Sequence, residues 1–127
     1  SLQSHSTSNP TSFAQMGYLE ALKSAASEVE TMRLAFERRR DLMFRLVSGI
    51  HELKPFRPAG AFYLFIDISQ TKLTSLPFSS RLLDEAKVAV VPGIAFGDDR
   101  AIRLSFAASE PVIESGVARI REWLKKI

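Results

Sequence analysis

Residues 88–107, VAVVPGIAFGDDRAIRLSFA, constrain this chain most: two apolar runs flank a cluster of turn residues, and the second run carries a charge among its hydrophobic positions. Ile102, Leu104 and Phe106 alternate with Arg103 and Ser105, so a half-buried strand puts three apolar side chains on one face and the guanidinium on the other. Pro92-Gly93 and Gly97-Asp98-Asp99 are turn chemistry, and the stretch is expected to form an antiparallel hairpin with a long, Gly-hinged loop. Two readings of Arg103 follow. Arginine is mostly exposed, which favours a solvated residue on an open sheet face. The sharper reading is a guanidinium fork, held firmly by a strand, that meets a carboxylate bidentately.

The rest of the chain supplies helices to cover such a sheet. Residues 1–9 are rich in Ser and Thr without periodicity, and Asn9-Pro10 suits a helix start. A helix over 11–26 carries Phe13, Met16, Leu19 and Leu22 with several small residues, so it needs cover on more than one side. Ser27 and Glu30 fit a capping box that opens a long helix to about Leu53. Its apolar stripe is Val29, Met32, Phe36, Met43, Leu46 or Val47, and Ile50, while Arg38, Arg39 and Arg40 splay around the axis as a solvated face partly paired with Glu37 and Asp41. Residues 61–67 form a continuous apolar run that reads as a central strand covered on both faces, in which composition alone makes Phe62 a packing residue. A short helix over 78–86 should turn Leu82 and Leu83 inward. After Ser109-Glu110-Pro111, a last helix repeats Ile113, Val117, Ile120, Leu124 and Ile127 at helical steps. The order implies an α/β fold, a two-layer sandwich of a small, mostly antiparallel sheet covered by helices.

Composition narrows the function classes. A chain of 127 residues is one ordinary domain, and 46% hydrophobic with 24% charged residues excludes a disordered chain. Seventeen basic against 14 acidic residues leave +3, far from a nucleic-acid-binding tail. No apolar run reaches the roughly 18 residues of a membrane span, so no membrane or nucleic-acid partner and a cytoplasmic location are expected. Without cysteine there is no thiol catalysis or Cys-type zinc site, and His5 and His51 lack ligand-spaced neighbours, so no metal is expected.

The 88–107 stretch resembles the C-terminal segment of class I pyridoxal-phosphate-dependent aminotransferases, in which an Arg in an IRLSFA-type strand binds the substrate α-carboxylate. RPAGAFYLFIDIS at 57–69 and QSHSTSNPTSFAQ at 3–15 match in the right order, the latter resembling the aspartate/prephenate aminotransferase branch. The resemblance implies the C-terminal portion of a longer, homodimeric enzyme that moves an amino group between an amino acid, aspartate or glutamate, and a 2-oxo acid. It implies that Arg103 and Phe62 bind substrate and that Thr7 and Ser8 lie at the dimer interface near the cofactor. Residues 1–26 would then end the large domain and form the interdomain helix, and 27–127 would be the C-terminal small domain. The family's Schiff-base lysine has no counterpart among Lys23, Lys54, Lys72, Lys87, Lys125 and Lys126. No catalytic residue is therefore expected in this portion, and no pyridoxal 5'-phosphate bound to it alone. A different class stays open: a non-catalytic small-ligand or protein-binding module that has kept the fold.

Overall fold

The computed structural model describes residues 5, 6 and 9–127. The helices are α1 (Ser12–Ser24), α2 (Ala26–Ser48), α3 (Ser75–Ala86) and α4 (Glu110–Leu124). The strands are β1 (Lys54–Phe56), β2 (Tyr63–Asp67), β3 (Val91–Pro92) and β4 (Ala101–Ser105), joined in one antiparallel sheet of order β1-β2-β4-β3. Short 3-10 turns occupy Ser69–Thr71 and Gly93–Phe96. This is the expected α/β arrangement of a small antiparallel sheet with helices.

The chain divides into two compact units, Ser1–Leu34 and Ala35–Ile127. In the first, α1 buries none of its residues: Phe13, Met16, Tyr18 and Leu22 are all exposed. The expected capping box is absent. Ser27 Oγ donates to Glu28 Oε2 and Glu30 pairs with Arg33, because only a one-residue turn at Ala25 separates the helices. Ala25 N donates to Ala21 O and Val29 N to Ala25 O, so these donors at the junction need no side-chain cap.

The second unit holds the sheet and the core. Alternation in β2 and β4 sends Leu64, Ile66, Ile102 and Leu104 to one face, where they are buried. They join Phe78 and Leu82 of α3, Met43 and Val47 of α2, and Ile113, Val117, Ile120, Trp123 and Leu124 of α4 in one cluster. Each large apolar side chain so buried contributes about 1.5–3 kcal/mol. Trp123 stands edge-on to Phe78 at 5.1 Å, and its indole N–H donates to Glu85 Oε2 at 2.7 Å, so its polar end is satisfied.

Four expectations need correction. The strand at 61–67 is covered on one face only within this chain, since Tyr63, Phe65 and Asp67 on the other face remain partly exposed. The long helix stops at Ser48, and Ile50 and Leu53 enter the core from tight turns, with Ile50 N donating to Val47 O and Leu53 N to Ile50 O. Leu83 is 49% exposed, because the inward stripe of α3 is Ser75, Phe78, Ser79 and Leu82. The first hairpin strand shrinks to Val91–Pro92: Val88 N turns back to Leu82 O at the end of α3, and Pro92 has no amide hydrogen to extend the ladder.

Candidate functional site

Antiparallel register sets the site. Arg103 lies opposite Phe65 of β2 and Val91 of β3, and Tyr63 lies opposite Ser105, so these side chains share the sheet face turned away from the helices. Arg103 is half-buried. Its guanidinium carbon sits 4.9 Å from the Tyr63 ring centroid and 4.8 Å from that of Phe96. The two rings come from opposite sides of β4, and Phe96 is itself edge-on to Phe65 at 6.2 Å. No carboxylate among the described residues pairs with Arg103; the ion pairs of Arg33, Arg38, Arg40, Arg57, Arg81 and Arg100 all lie elsewhere. Stacking on ring faces leaves the N–H edge of a planar guanidinium available, and that edge matches a carboxylate.

The turn that brings Phe96 to Arg103 is fixed by a buried hydroxyl. Ser75, fully buried at the start of α3, donates its Oγ to Asp99 Oδ1 at 2.5 Å and accepts the amide of Ile94 at 3.1 Å. Asp99 Oδ1 also accepts the Ser75 amide at 3.0 Å, so it caps α3 from a distant loop and puts negative charge at the helix N-terminus. Gly93 is required where it stands, because a Cβ there would collide with the backbone oxygens of Ala101 and Asp98. Gly97 closes the turn at φ +88°, a left-handed conformation open to glycine.

Phe62 precedes β2 and is 52% exposed, edge-on to Tyr63 at 5.8 Å and tilted against Phe36 at 6.5 Å. Its ring meets Tyr63, which in turn meets Arg103, and its carbonyl accepts the Phe106 amide at 2.8 Å. Thr7 and Ser8 lie outside the described residues. Tyr63, Phe96, Ser75 and Asp99 were missed in the sequence. Tyr63 was within reach, since it alternates with Phe65 on the strand expected to be central; the long-range Ser75–Asp99 contact leaves no local signal.

On the same face, Asp67 accepts the Ser69 amide at 2.7 Å, and that bond holds its carboxyl below the usual range, helped by Lys54 and Arg100. It is an anion with its own partners. A cavity of about 430 Å³ elsewhere in this unit is lined by Met43, Val88, Leu104, Ile113 and Val117 among others, and Arg103 is not in its wall. No group of three described His, Asp or Glu residues is placed to hold a metal ion, and no described helix is long and apolar enough to cross a membrane.

The whole of this architecture has known counterparts. Residues 1–120 match the family described as aminotransferase class I and II, and the chain belongs to that family. A probable aspartate/prephenate aminotransferase of Aquifex aeolicus is 48% identical, with 100% of this chain and 34% of that protein covered. The aspartate aminotransferase from Rhizobium meliloti superposes with a TM-score of 0.89 at 33% identity, covering 98% of this chain and 34% of that one. The aspartate aminotransferase from Thermus thermophilus with maleate gives 0.88 at 38% identity, covering 95% and 32%. The chain thus spans about a third of the length of these relatives.

Members of this family generally use pyridoxal phosphate, and the lysines test whether this chain could hold it. All six are exposed. Lys87 Nζ donates to the Asp84 carbonyl and Lys125 Nζ pairs with Glu122, and none sits in an enclosed pocket of the kind that activates an imine-forming lysine. The described residues therefore do not fit the cofactor by themselves.

Proposed function

We propose that this chain is the substrate-carboxylate-binding portion of a pyridoxal-phosphate-dependent aminotransferase. The whole enzyme transfers an amino group between an amino acid, aspartate or glutamate, and a 2-oxo acid. The observation that carries the proposal is Arg103 itself: a strand-mounted guanidinium flanked by two aromatic rings, with no carboxylate of the described chain claiming its N–H edge. The names of the relatives agree, since they are aspartate or aspartate/prephenate aminotransferases and the Thermus protein was solved with maleate, a dicarboxylate.

The chemistry at the amino group belongs to residues and a cofactor beyond this chain. What Arg103 supplies is orientation. Two parallel N–H···O bonds fix the plane of the α-carboxylate and so limit rotation at Cα, which converts binding into positioning of the reacting bond. The aromatic neighbours Tyr63, Phe65 and Phe96 keep water away from those bonds and strengthen them. Phe62, edge-on to Tyr63, would border the substrate just before β2 begins. Residues 1–26 would belong to the large domain and interdomain helix and 27–127 to the small domain of a cytoplasmic homodimer, with Thr7 and Ser8 near the partner's cofactor.

Steady-state kinetics of the full-length protein with aspartate and with glutamate test this. Arg103→Lys keeps the charge and loses the fork, and kcat/KM should fall by about ten- to a hundredfold for both substrates, the worth of a charge-assisted bond. Kinetics close to the parent would remove the assignment. A full-length protein with no amino-transfer activity on any amino acid would favour a non-catalytic binding module.

A further inference from the structure

Phe96 is an expensive residue in its position. It is 51% exposed on a turn, yet the turn beneath it is tied down by several hydrogen bonds. Ser75 Oγ holds the Ile94 amide, Asp98 N donates to Gly93 O, Gly97 N donates to Ile94 O, and the loop closes through Asp99 onto the first turn of α3. The ring so held meets two partners: Arg103, at 4.8 Å, and the edge of Phe65, at 6.2 Å.

We infer that Phe96 is a positioning residue for the carboxylate site: its ring, seated on the Ser75–Asp99 anchor and opposed by Tyr63, sets the plane of the Arg103 guanidinium before any ligand arrives. Arginine has four rotatable side-chain bonds, and an unheld fork must lose that freedom each time it takes up a bidentate pair. Stacking supplies the restraint in advance. The ring faces attract the cation without using its N–H groups, so the restraint does not compete with the ligand, as an acidic neighbour would. The geometry also explains why the two rings come from different elements, β2 and the Gly93–Phe96 turn: a single ring would leave the fork free to lift off its face.

This inference rests on the carboxylate-anchor reading of Arg103, and its test separates the two. Maleate binding to the full-length holoenzyme is measured by titration calorimetry for the parent, Phe96→Leu, Phe96→Tyr and Arg103→Lys, with a thermal melt and steady-state kinetics of each. Phe96→Leu should weaken maleate about tenfold, as the loss of a partly desolvated cation–π contact implies. KM for the amino acid should rise in step while kcat stays within about twofold, because positioning of the ground-state carboxylate is what was lost. Phe96→Tyr, which keeps the ring, should restore parental binding. Phe96→Leu binding maleate like the parent while Arg103→Lys binds it poorly would overturn the positioning role and leave the anchor in place. Arg103→Lys binding maleate like the parent would overturn both. Loss of kcat and melting temperature in Phe96→Leu without a change in maleate affinity, or a Tyr variant as weak as the Leu one, would also sink the inference.

Discussion

Arg103 shows how one residue's meaning changes with its neighbours. As a charge on a strand its pattern favoured solvent; flanked by Tyr63 and Phe96, with no carboxylate of the described residues paired to it, it suits the proposed carboxylate anchor. Gly93 contributes in the opposite way, through what it lacks. Its missing Cβ lets the turn pass against the oxygens of Ala101 and Asp98, both backbone atoms that cannot swing aside. Gly93→Ala should therefore destabilise the protein by about 1–3 kcal/mol through overpacking and weaken carboxylate binding through the displaced Phe96. Thermal melts paired with maleate titration check this; an unchanged melting temperature would mean that the turn has another route.

Among the elements, α4 was the most legible and α3 the most misread. The steps Ile113, Val117, Ile120 and Leu124 are buried as the helical period requires, because a long amphipathic helix has only one face it can bury, whereas Ile127 lies past the helix end and is exposed. In α3 the buried face includes Ser75 and Ser79, whose hydroxyls are occupied by Asp99 and by the Ser75 carbonyl. A hydrophobic period cannot register serines that are buried because they are bonded. The pairing of α3 with α4 should be acid-sensitive. Arg81 first and the Trp123 indole second hold Glu85 below its ordinary 4.5, so the folded state binds this proton less readily than the unfolded chain. The contribution is present above about pH 4.5 and is lost as pH falls through the lower folded value. Glu85→Gln should flatten that part of the pH–melting-temperature curve below pH 4.5 while leaving the shape at pH 7 unchanged. Equal slopes for parent and variant would show that the other carboxylates with lowered values, such as Asp41 and Asp67, govern acid unfolding instead.

For the whole molecule, the sheet, its antiparallel order and the family membership were readable because three motifs fall in sequence and Ile102, Leu104 and Phe106 alternate with Arg103 and Ser105. The site was half readable. Arg103 was visible as a charge on a strand, but the Ser75–Asp99 anchor beneath the Phe96 turn joins residues 24 positions apart, which no local pattern encodes. The exposed apolar residues of α1 have the same origin: Phe13, Met16 and Leu22 were expected to need cover, and the described chain provides none. Since the chain spans about a third of its relatives, the full-length protein should melt above the 127-residue chain by several degrees, and differential scanning calorimetry of both would show it. Ser8→Leu in the full-length protein should weaken dimerisation or cofactor retention, measured by sedimentation and visible absorbance; a normal, fully loaded dimer would place Ser8 away from the shared site.

The most direct measurement is a crystal structure of the full-length protein with maleate. One carboxylate of the ligand should lie with both oxygens about 2.7–2.9 Å from guanidinium nitrogens of Arg103, the guanidinium still against Phe96 and Tyr63. A well-ordered maleate bound away from Arg103, with that side chain in solvent or paired to a carboxylate of the protein, would contradict it.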